Sequence, residues 1–243
     1  MAVTAICPEG LKVVVFDVDG TLYRQAPLRR AMLVRLLRSY ALRPVEGWRT
    51  LRALSAYRHA QEALRTEACT NVADAQLARA CGRTNLNRDS VLRCVERWMD
   101  QEPLPLLRRF RHEGLVEFLE ACRAQGLRLA VLSDYPAAAK LRALGIDEYF
   151  DVVLCAQSPE IGVFKPHPRG LQVALRRLGV GPQECLYVGD RADVDGAAAD
   201  AAGIKSVIVT RSSSRSSARH TVVPGYRQLQ ALLFAGAARL AAA

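Results

Sequence analysis

Residues 12–23 read Lys12-Val13-Val14-Val15-Phe16-Asp17-Val18-Asp19-Gly20-Thr21-Leu22-Tyr23. The run from Lys12 to Phe16 is short, continuous and rich in β-branched and aromatic residues, which suits a strand buried on both faces. Asp17 and Asp19 follow at once, at the C-terminal end of that strand, where open α/β sheets bind ligands. Carboxylates at i and i+2 on an extended chain face the same side and repel unless a cation or a shared proton intervenes. A divalent metal ion is the natural solution. A lone Asp-x-Asp before glycine is also a common solvated turn, so the rest of the chain must decide between the two.

Working outward, similar apolar runs recur at 127–132, 152–154, 185–188 and 206–209, each the length of a short buried strand. Helical patterns separate several of them. Leu115, Phe118, Leu119 and Cys122 repeat at i, i+3, i+4 and i+7 ahead of Gly126. Pro136 opens and Gly145 closes a second helix, and Pro168 and Gly179 bracket a third that carries Leu171, Leu175 and Leu178. Alternating strands and helices predict an α/β fold, a Rossmann-like parallel sheet covered on both sides.

Residues 24 to about 110 break the alternation. They contain no convincing strand, yet Leu28, Met32, Leu36 and Tyr40 keep a helical period, and Val91, Val95 and Trp98 continue it behind a candidate cap at Asp89. Gly82 to Arg88 and Pro103 to Pro105 read as connections. An interval this long is too large for a loop and predicts an inserted helical domain. The expected division is therefore a core of residues 1–23 and 111–243 and a cap of residues 24–110. Arg211 to Arg219 is Ser/Arg-rich and reads as a surface loop, and Tyr226 to Ala242 reads as a closing helix.

The stretch Val13 to Leu22 resembles the first signature of the haloacid dehalogenase superfamily, and three further segments match that family in order. Val131-Leu132-Ser133-Asp134 resembles the second motif, in which a hydroxyl, here Ser133, donates a hydrogen bond to a phosphoryl oxygen. Lys165, in Phe164-Lys165-Pro166-His167-Pro168, resembles the third motif, whose lysine neutralises the nucleophile and the incoming phosphate. The chain has only four lysines, which makes this one conspicuous. Val188-Gly189-Asp190-Arg191-Ala192-Asp193-Val194-Asp195 resembles the fourth motif, whose acidic residues hold Mg²⁺. Asp190 and Asp195 fit its spacing best, while Asp193 reads as solvent-facing or as a helix cap. The resemblance covers residues 11–23 and about 111–210, and an inserted cap after the first motif matches the C1-cap phosphatases, including phosphoglycolate phosphatase.

The resemblance implies catalytic roles for Asp17, Asp19, Ser133 and Lys165, with Asp17, Asp19 through its carbonyl, Asp190 and Asp195 around Mg²⁺. Asp17 would attack phosphorus to form an aspartyl phosphate, and Asp19 would serve as acid and then base. The second aspartate favours a phosphatase over a dehalogenase, which keeps the nucleophile but lacks that carboxylate. The alternatives are a phosphomutase of the β-phosphoglucomutase type and a non-catalytic binding module on the same fold. Asp134 departs from the asparagine found in many relatives, and a carboxylate there would repel phosphate unless turned away. Arg24, Arg49, Arg52 and Arg58 are candidate contacts for an anionic substrate.

The chain has 243 residues, half of them hydrophobic, enough for one large core with an insertion. Its formal charge is +10, but 34 basic residues less four lysines leave 30 scattered arginines, a pattern of compositional bias, so no nucleic-acid partner is expected. No run approaches the roughly 20 apolar residues of a membrane helix, and no export signal opens the chain. Seven scattered cysteines without a Cys-x-x-Cys pair argue for reduced thiols. These features predict a cytoplasmic protein with no membrane partner and leave the oligomeric state open, while the resemblance implies a small phosphorylated substrate.

Overall fold

Four consecutive apolar side chains with no exposed face are satisfied only inside a covered sheet. Val13–Phe16 (β1) lies there, with all four side chains buried. In this computed structural model residues 8, 10–67, 69–211 and 220–240 are described, with side chains as far as 234. β1 pairs in parallel with β2 (Arg128–Ser133) on one side and with β4 (Cys185–Gly189) on the other. β3 (Val152–Cys155) lies beyond β2, and β5 (Lys205–Val209) and β6 (His220–Val223) lie beyond β4. The result is one parallel six-stranded sheet in the order β3-β2-β1-β4-β5-β6. The chain leaves β1 in both directions, so the C-terminal ends of β1, β2 and β4 flank the crevice that such a reversal opens.

Between β1 and β2 the chain builds helices α1 (Gln25–Ser39), α2 (Pro44–Leu64), α3 (Val72–Thr84), α4 (Arg88–Val95) and α5 (Leu104–Phe110), with a π-helical turn at Glu96–Gln101. Among the described residues this interval adds no strand to the sheet. Its helices bury two apolar clusters, one around Tyr57, Leu77, Ala80, Val91 and Val95 and one around Leu36, Leu54 and Trp98. Local chemistry sets the boundaries differently from the sequence reading. α3 runs through Gly82 to Thr84 and stops at Asn85, whose left-handed backbone suits a short polar side chain. Asn87, not Asp89, caps α4, accepting the N–H of Ser90 at 2.9 Å. Pro105 sits in the first turn of α5, where a missing N–H costs nothing.

The remaining helices are α6 (Leu115–Ala124), α7 (Ala138–Leu144), α8 (Arg169–Leu178), α9 (Ala197–Ala201) and α10 (Tyr226–Leu240). α7 and α8 end at Gly145 and Gly179, as the glycine positions indicated. β1 alternates between two cores: Val14 and Phe16 pack with α6 and α10, and Val13 and Val15 pack with α8 and α9. β6 was not expected from the sequence. It is a four-residue edge strand whose first three residues are only partly buried, so it lacks the unbroken apolar run that marked the central strands. Of the Ser/Arg-rich stretch, residues 212–219 lie outside the described residues, as do 241–243 at the end of α10.

The core therefore shows the inserted α/β architecture expected from the sequence. Phe118 illustrates how it braces β1: fully buried, its ring meets Phe16 edge-on at 6.1 Å and Tyr226 at 5.5 Å. Phe118→Ala is expected to cost about 3–5 kcal/mol, read as a lowered midpoint in urea unfolding.

Candidate active site

The first carboxylate pair sits where β1 ends. Asp17 continues the ladder, its N–H bonding the carbonyl of Val188 at 2.9 Å, and its side chain is 6% exposed. The following loop is fixed from three directions. Thr21 donates its hydroxyl to Asp17 Oδ2 at 2.8 Å, Tyr226 donates to the carbonyl of Thr21 at 2.8 Å, and His112 Nε2 lies 3.0 Å from the carbonyl oxygen of Gly20. Gly20 has φ +111°, and a Cβ there would fall 2.1 Å from Asp190 Oδ2. Only glycine lets the loop pass this close to the second acidic strand end.

Lys165 joins the acidic groups. Its ammonium donates to Asp17 Oδ1 at 2.5 Å, to Asp195 Oδ1 at 2.7 Å and to Tyr187 Oη at 3.1 Å, all of them buried. Asp195 reaches this position through a π-helical turn at Ala192–Gly196. The wider turn carries Asp195 inward, where its Oδ2 accepts the N–H groups of Asp190 and Arg191 at 3.2 and 3.1 Å. Asp193 instead faces solvent and pairs with Arg191, one of the two roles expected for it.

One carboxylate oxygen from each of Asp17, Asp190 and Asp195 lies within 4.8 Å of the others. Three acidic groups around one lysine leave an excess of negative charge in a buried place. Burial, opposed by Lys165 and reinforced by Asp195, raises the Asp17 carboxyl to about 7. Burial and then the fields of Asp17 and Asp195 raise Asp190 to about 8. Such a cluster fits a hard divalent cation, which carboxylate oxygens hold and which removes the repulsion.

Asp19 is turned elsewhere. Lys140 donates to its Oδ1 at 2.7 Å and its Oδ2 at 2.9 Å, and Tyr23 also donates to Oδ1. Burial works against ionisation of Asp19, but Lys140 and then Tyr23 outweigh it and hold the carboxyl below its ordinary range. Two carboxyls two residues apart are thus pushed in opposite directions. Neither Lys140 nor Tyr23 was singled out from the sequence. The scarcity of lysine that drew attention to Lys165 applied equally to Lys140.

Ser133 closes β2 and is 1% exposed, its Oγ accepting the N–H of Tyr135 at 3.3 Å, and it does not line the cavity described below. Asp134 has its own cation: Arg65, just past the end of α2, donates to its Oδ2 at 2.7 Å, and Gln61 of α2 donates to the same oxygen at 2.9 Å. Arg65 also bonds the carbonyl of Lys165 at 2.5 Å. The repulsion foreseen for a carboxylate at 134 is cancelled by an arginine from the insertion. Tyr135 Oη extends the seam to Gln61 at 2.7 Å, and Arg191 pairs with Glu62.

Above these groups lies a cavity of about 600 Å³. Its floor includes Asp17, Asp19, Lys140, Lys165 and Asp190, and its roof comes from α1 and α2, with Arg29, Leu36, Leu54 and Arg58 among the lining residues. Arg29 and Arg58 form no ion pair among the described residues and lie within each other's field. Arg58 was among the four arginines named from sequence. Arg24, Arg49 and Arg52 do not line the cavity.

The haloacid dehalogenase-like hydrolase family matches residues 11–203, spanning both strand-end aspartate motifs and the lysine between them. The chain belongs to this family. Glyceraldehyde 3-phosphate phosphatase of Methanopyrus kandleri is 30% identical over 83% of this hydrolase and 84% of its own length. Phosphoglycolate phosphatase of Escherichia coli is 33% identical, covering 83% and 82%. The crystal structure of a phosphatase of the family from Thermococcus onnurineus shares the fold with a TM-score of 0.62 at 23% identity, over 92% of this chain and 98% of that one. No helix of the described residues is long and apolar enough to cross a membrane.

The raised carboxyls carry a testable sign. In the metal-free hydrolase Asp17 and Asp190 hold protons near neutrality that the unfolded chain has lost, so they favour folding less as pH climbs through about 4 to 8. A divalent ion must displace those protons. Mg²⁺ is expected to bind more tightly, and to raise the melting temperature more, at about pH 8 than at about pH 6, with proton release visible by calorimetry in buffers of differing ionisation enthalpy. A pH-independent thermal shift would contradict this account.

Proposed function

We propose that this hydrolase is a Mg²⁺-dependent phosphatase that removes the phosphoryl group from a small phosphomonoester through an aspartyl phosphate on Asp17. The observation that carries the reading is the opposite environment of the two aspartates. Asp17 lies in the acidic cluster on Lys165, suited to attack once its charge is compensated, while Asp19 faces the cavity on Lys140, where a leaving group would depart.

In this mechanism a carboxylate oxygen of Asp17 forms the new bond to phosphorus as the ester P–O bond breaks in line. Asp19 gives a proton to the departing oxygen and later takes one from the water that opens the aspartyl phosphate. Lys165 holds Asp17 in place and meets charge on the phosphoryl oxygens, and Ser133 supplies its hydroxyl from the end of β2. Asp17, the carbonyl of Asp19, Asp190 and Asp195 would hold the Mg²⁺, which supplies positive charge to the phosphoryl oxygens in transfer. The division into a core of residues 1–23 and 111–243 and a cap of 24–110 belongs to the same proposal, supported by the fall of α1 to α5 between β1 and β2.

The names of the relatives refer to glyceraldehyde 3-phosphate and phosphoglycolate, both small phosphomonoesters. Arg29 and Arg58, which form no ion pair among the described residues, support a substrate with a second anionic group, because like charges side by side are relieved by an anion between them.

The test is phosphate release from a panel of phosphomonoesters with and without Mg²⁺. Asp17→Asn is expected to lower metal-dependent release by roughly three orders of magnitude or more at an unchanged fold. Equal release from both proteins would remove Asp17 as nucleophile. Arg58→Ala is expected to raise KM for phosphoglycolate on the order of tenfold, and to change KM for the singly anchored p-nitrophenyl phosphate much less, since a charge-assisted bond is worth about 1.5–3 kcal/mol.

A further inference from the structure

The cavity above the strand ends changes character along its length. α1 starts just after Tyr23 and runs away from the strand ends, and α2 returns toward them, ending next to Arg65 on the carbonyl of Lys165. One face of each helix lines the cavity at helical spacing: Gln25, Arg29, Met32 and Leu36 on α1, and Leu51, Leu54, Arg58 and Gln61 on α2. On both helices the polar members stand on the side of the strand ends and the apolar members on the far side. Leu36 and Leu51 each lie seven residues from the arginine of their own helix, so the apolar end reaches about 10 Å beyond the arginines. Leu36, Leu54 and Trp98 of the π-helical turn pack together there, with Met32 and Leu51 against them, partly exposed. Leu33 also lines the cavity and is 47% exposed. No charged side chain lines this end among the described residues.

A two-carbon substrate leaves this end unused. With its phosphate on Asp17 and its carboxylate on Arg29 and Arg58, phosphoglycolate spans only the polar part, and the leucines beyond it face water. A cavity of about 600 Å³ is of the size that encloses a much larger molecule, and apolar wall gains stability when hydrocarbon replaces the water against it. We propose that the far end of the cavity is an apolar subsite for the alcohol part of the substrate, and that the preferred phosphomonoester carries a hydrocarbon body of several carbons beyond its phosphate. This rests on the proposed function for the phosphate end of the cavity. An anionic group held by Arg29 and Arg58 lies between the two ends and is compatible with both. The subsite makes and breaks no bond. It holds substrate and transition state alike, and such uniform binding lowers KM while leaving kcat little changed.

A homologous series isolates this contact. Ethyl, butyl and hexyl phosphate release alcohols of similar acidity, so a trend among them reports on the chain and not on the leaving group. The experiment measures kcat and KM for the three esters in Mg²⁺ with the intact hydrolase and with the variants Met32→Gln and Leu51→Asn, which replace partly exposed apolar wall by polar side chains. In the intact hydrolase kcat/KM is expected to rise about twofold to fourfold per methylene, or on the order of 100-fold from ethyl to hexyl, as burial of each CH₂ gives. The rise should lie in KM. In each variant the ratio of kcat/KM for hexyl to that for ethyl phosphate is expected to fall to about tenfold or less, because the chain then meets a polar wall whose hydration it must displace.

Hydrolysis of all three esters with equal kcat/KM would overturn the proposal and leave the phosphatase reading intact. A rise with chain length whose hexyl-to-ethyl ratio is unchanged in both variants would also overturn it, because the chain would then be bound elsewhere. General damage to the protein lowers both substrates together and leaves the ratio where it was, so the ratio is the quantity that decides. If one variant does not fold, by circular dichroism, the other is read in the same way. Should none of the esters be hydrolysed, the proposed function fails, and calorimetry with ethyl-, butyl- and hexylphosphonate, which bind without turnover, decides on the subsite alone. Affinity that rises with chain length and falls back in Met32→Gln and Leu51→Asn supports it, and affinity independent of chain length overturns it.

Discussion

The contact on which the site depends is the ammonium of Lys165 between Asp17 and Asp195, at 2.5 and 2.7 Å. A buried charge is tolerable only when paired and hydrogen-bonded, and this one is shared among the carboxylate of Asp17 after β1, the carboxylate of Asp195 after β4 and the hydroxyl of Tyr187 within β4. The sheet makes that possible. β1 and β4 are neighbours in parallel register, so Asp17 and Asp190 leave adjacent strands at the same level, and the segment after β3 brings Lys165 across them. The lysine compensates only part of the charge around it. The remainder keeps Asp17 and Asp190 partly protonated in the metal-free site, and it is this surplus that a divalent cation would absorb.

The same economy of charge governs the junction between core and insertion. Asp134 would be a liability beside a phosphate if it stood alone. Gln61 of α2 and Arg65 at its end take it up, and Arg65 continues to the carbonyl of Lys165, so one arginine ties the insertion to both the second and the third motif. Glu62 pairs with Arg191 next to the fourth. Gln61, Glu62 and Arg65 at the end of α2 thus make these polar contacts along one side of the cavity. These contacts hold the insertion directly against the strand ends.

Asp17 and Asp19 show how tertiary contacts assign different tasks to chemically identical side chains. They share a loop and a sequence motif, yet one carboxyl is raised and the other lowered. The difference comes from partners supplied by distant segments: Lys165 with competing acids for Asp17, and Lys140 without a competing acid in hydrogen-bond contact for Asp19. A local reading of Asp-x-Asp has no access to either partner.

What the sequence determined by itself was what local pattern encodes. The apolar run 12–16, the recurrent strands, the glycine and proline punctuation of α7 and α8, and the strand-free interval after Tyr23 each report on residues near one another in the chain, and they led to a parallel α/β core with a helical insertion. Resemblance to the family's four motifs then singled out Asp17, Asp19, Ser133, Lys165, Asp190 and Asp195. The short, half-buried β6 was missed because an edge strand needs no continuous apolar run. Only the tertiary structure decided which charges meet: Lys140 reaches Asp19 across 121 positions, Arg65 reaches Asp134 across 69, and the π-helical turn puts Asp195 inside and Asp193 outside. Those pairings depend on strand order and on how the insertion sits against the sheet. Electrostatic energy follows distance in space, and no periodicity along the chain records it.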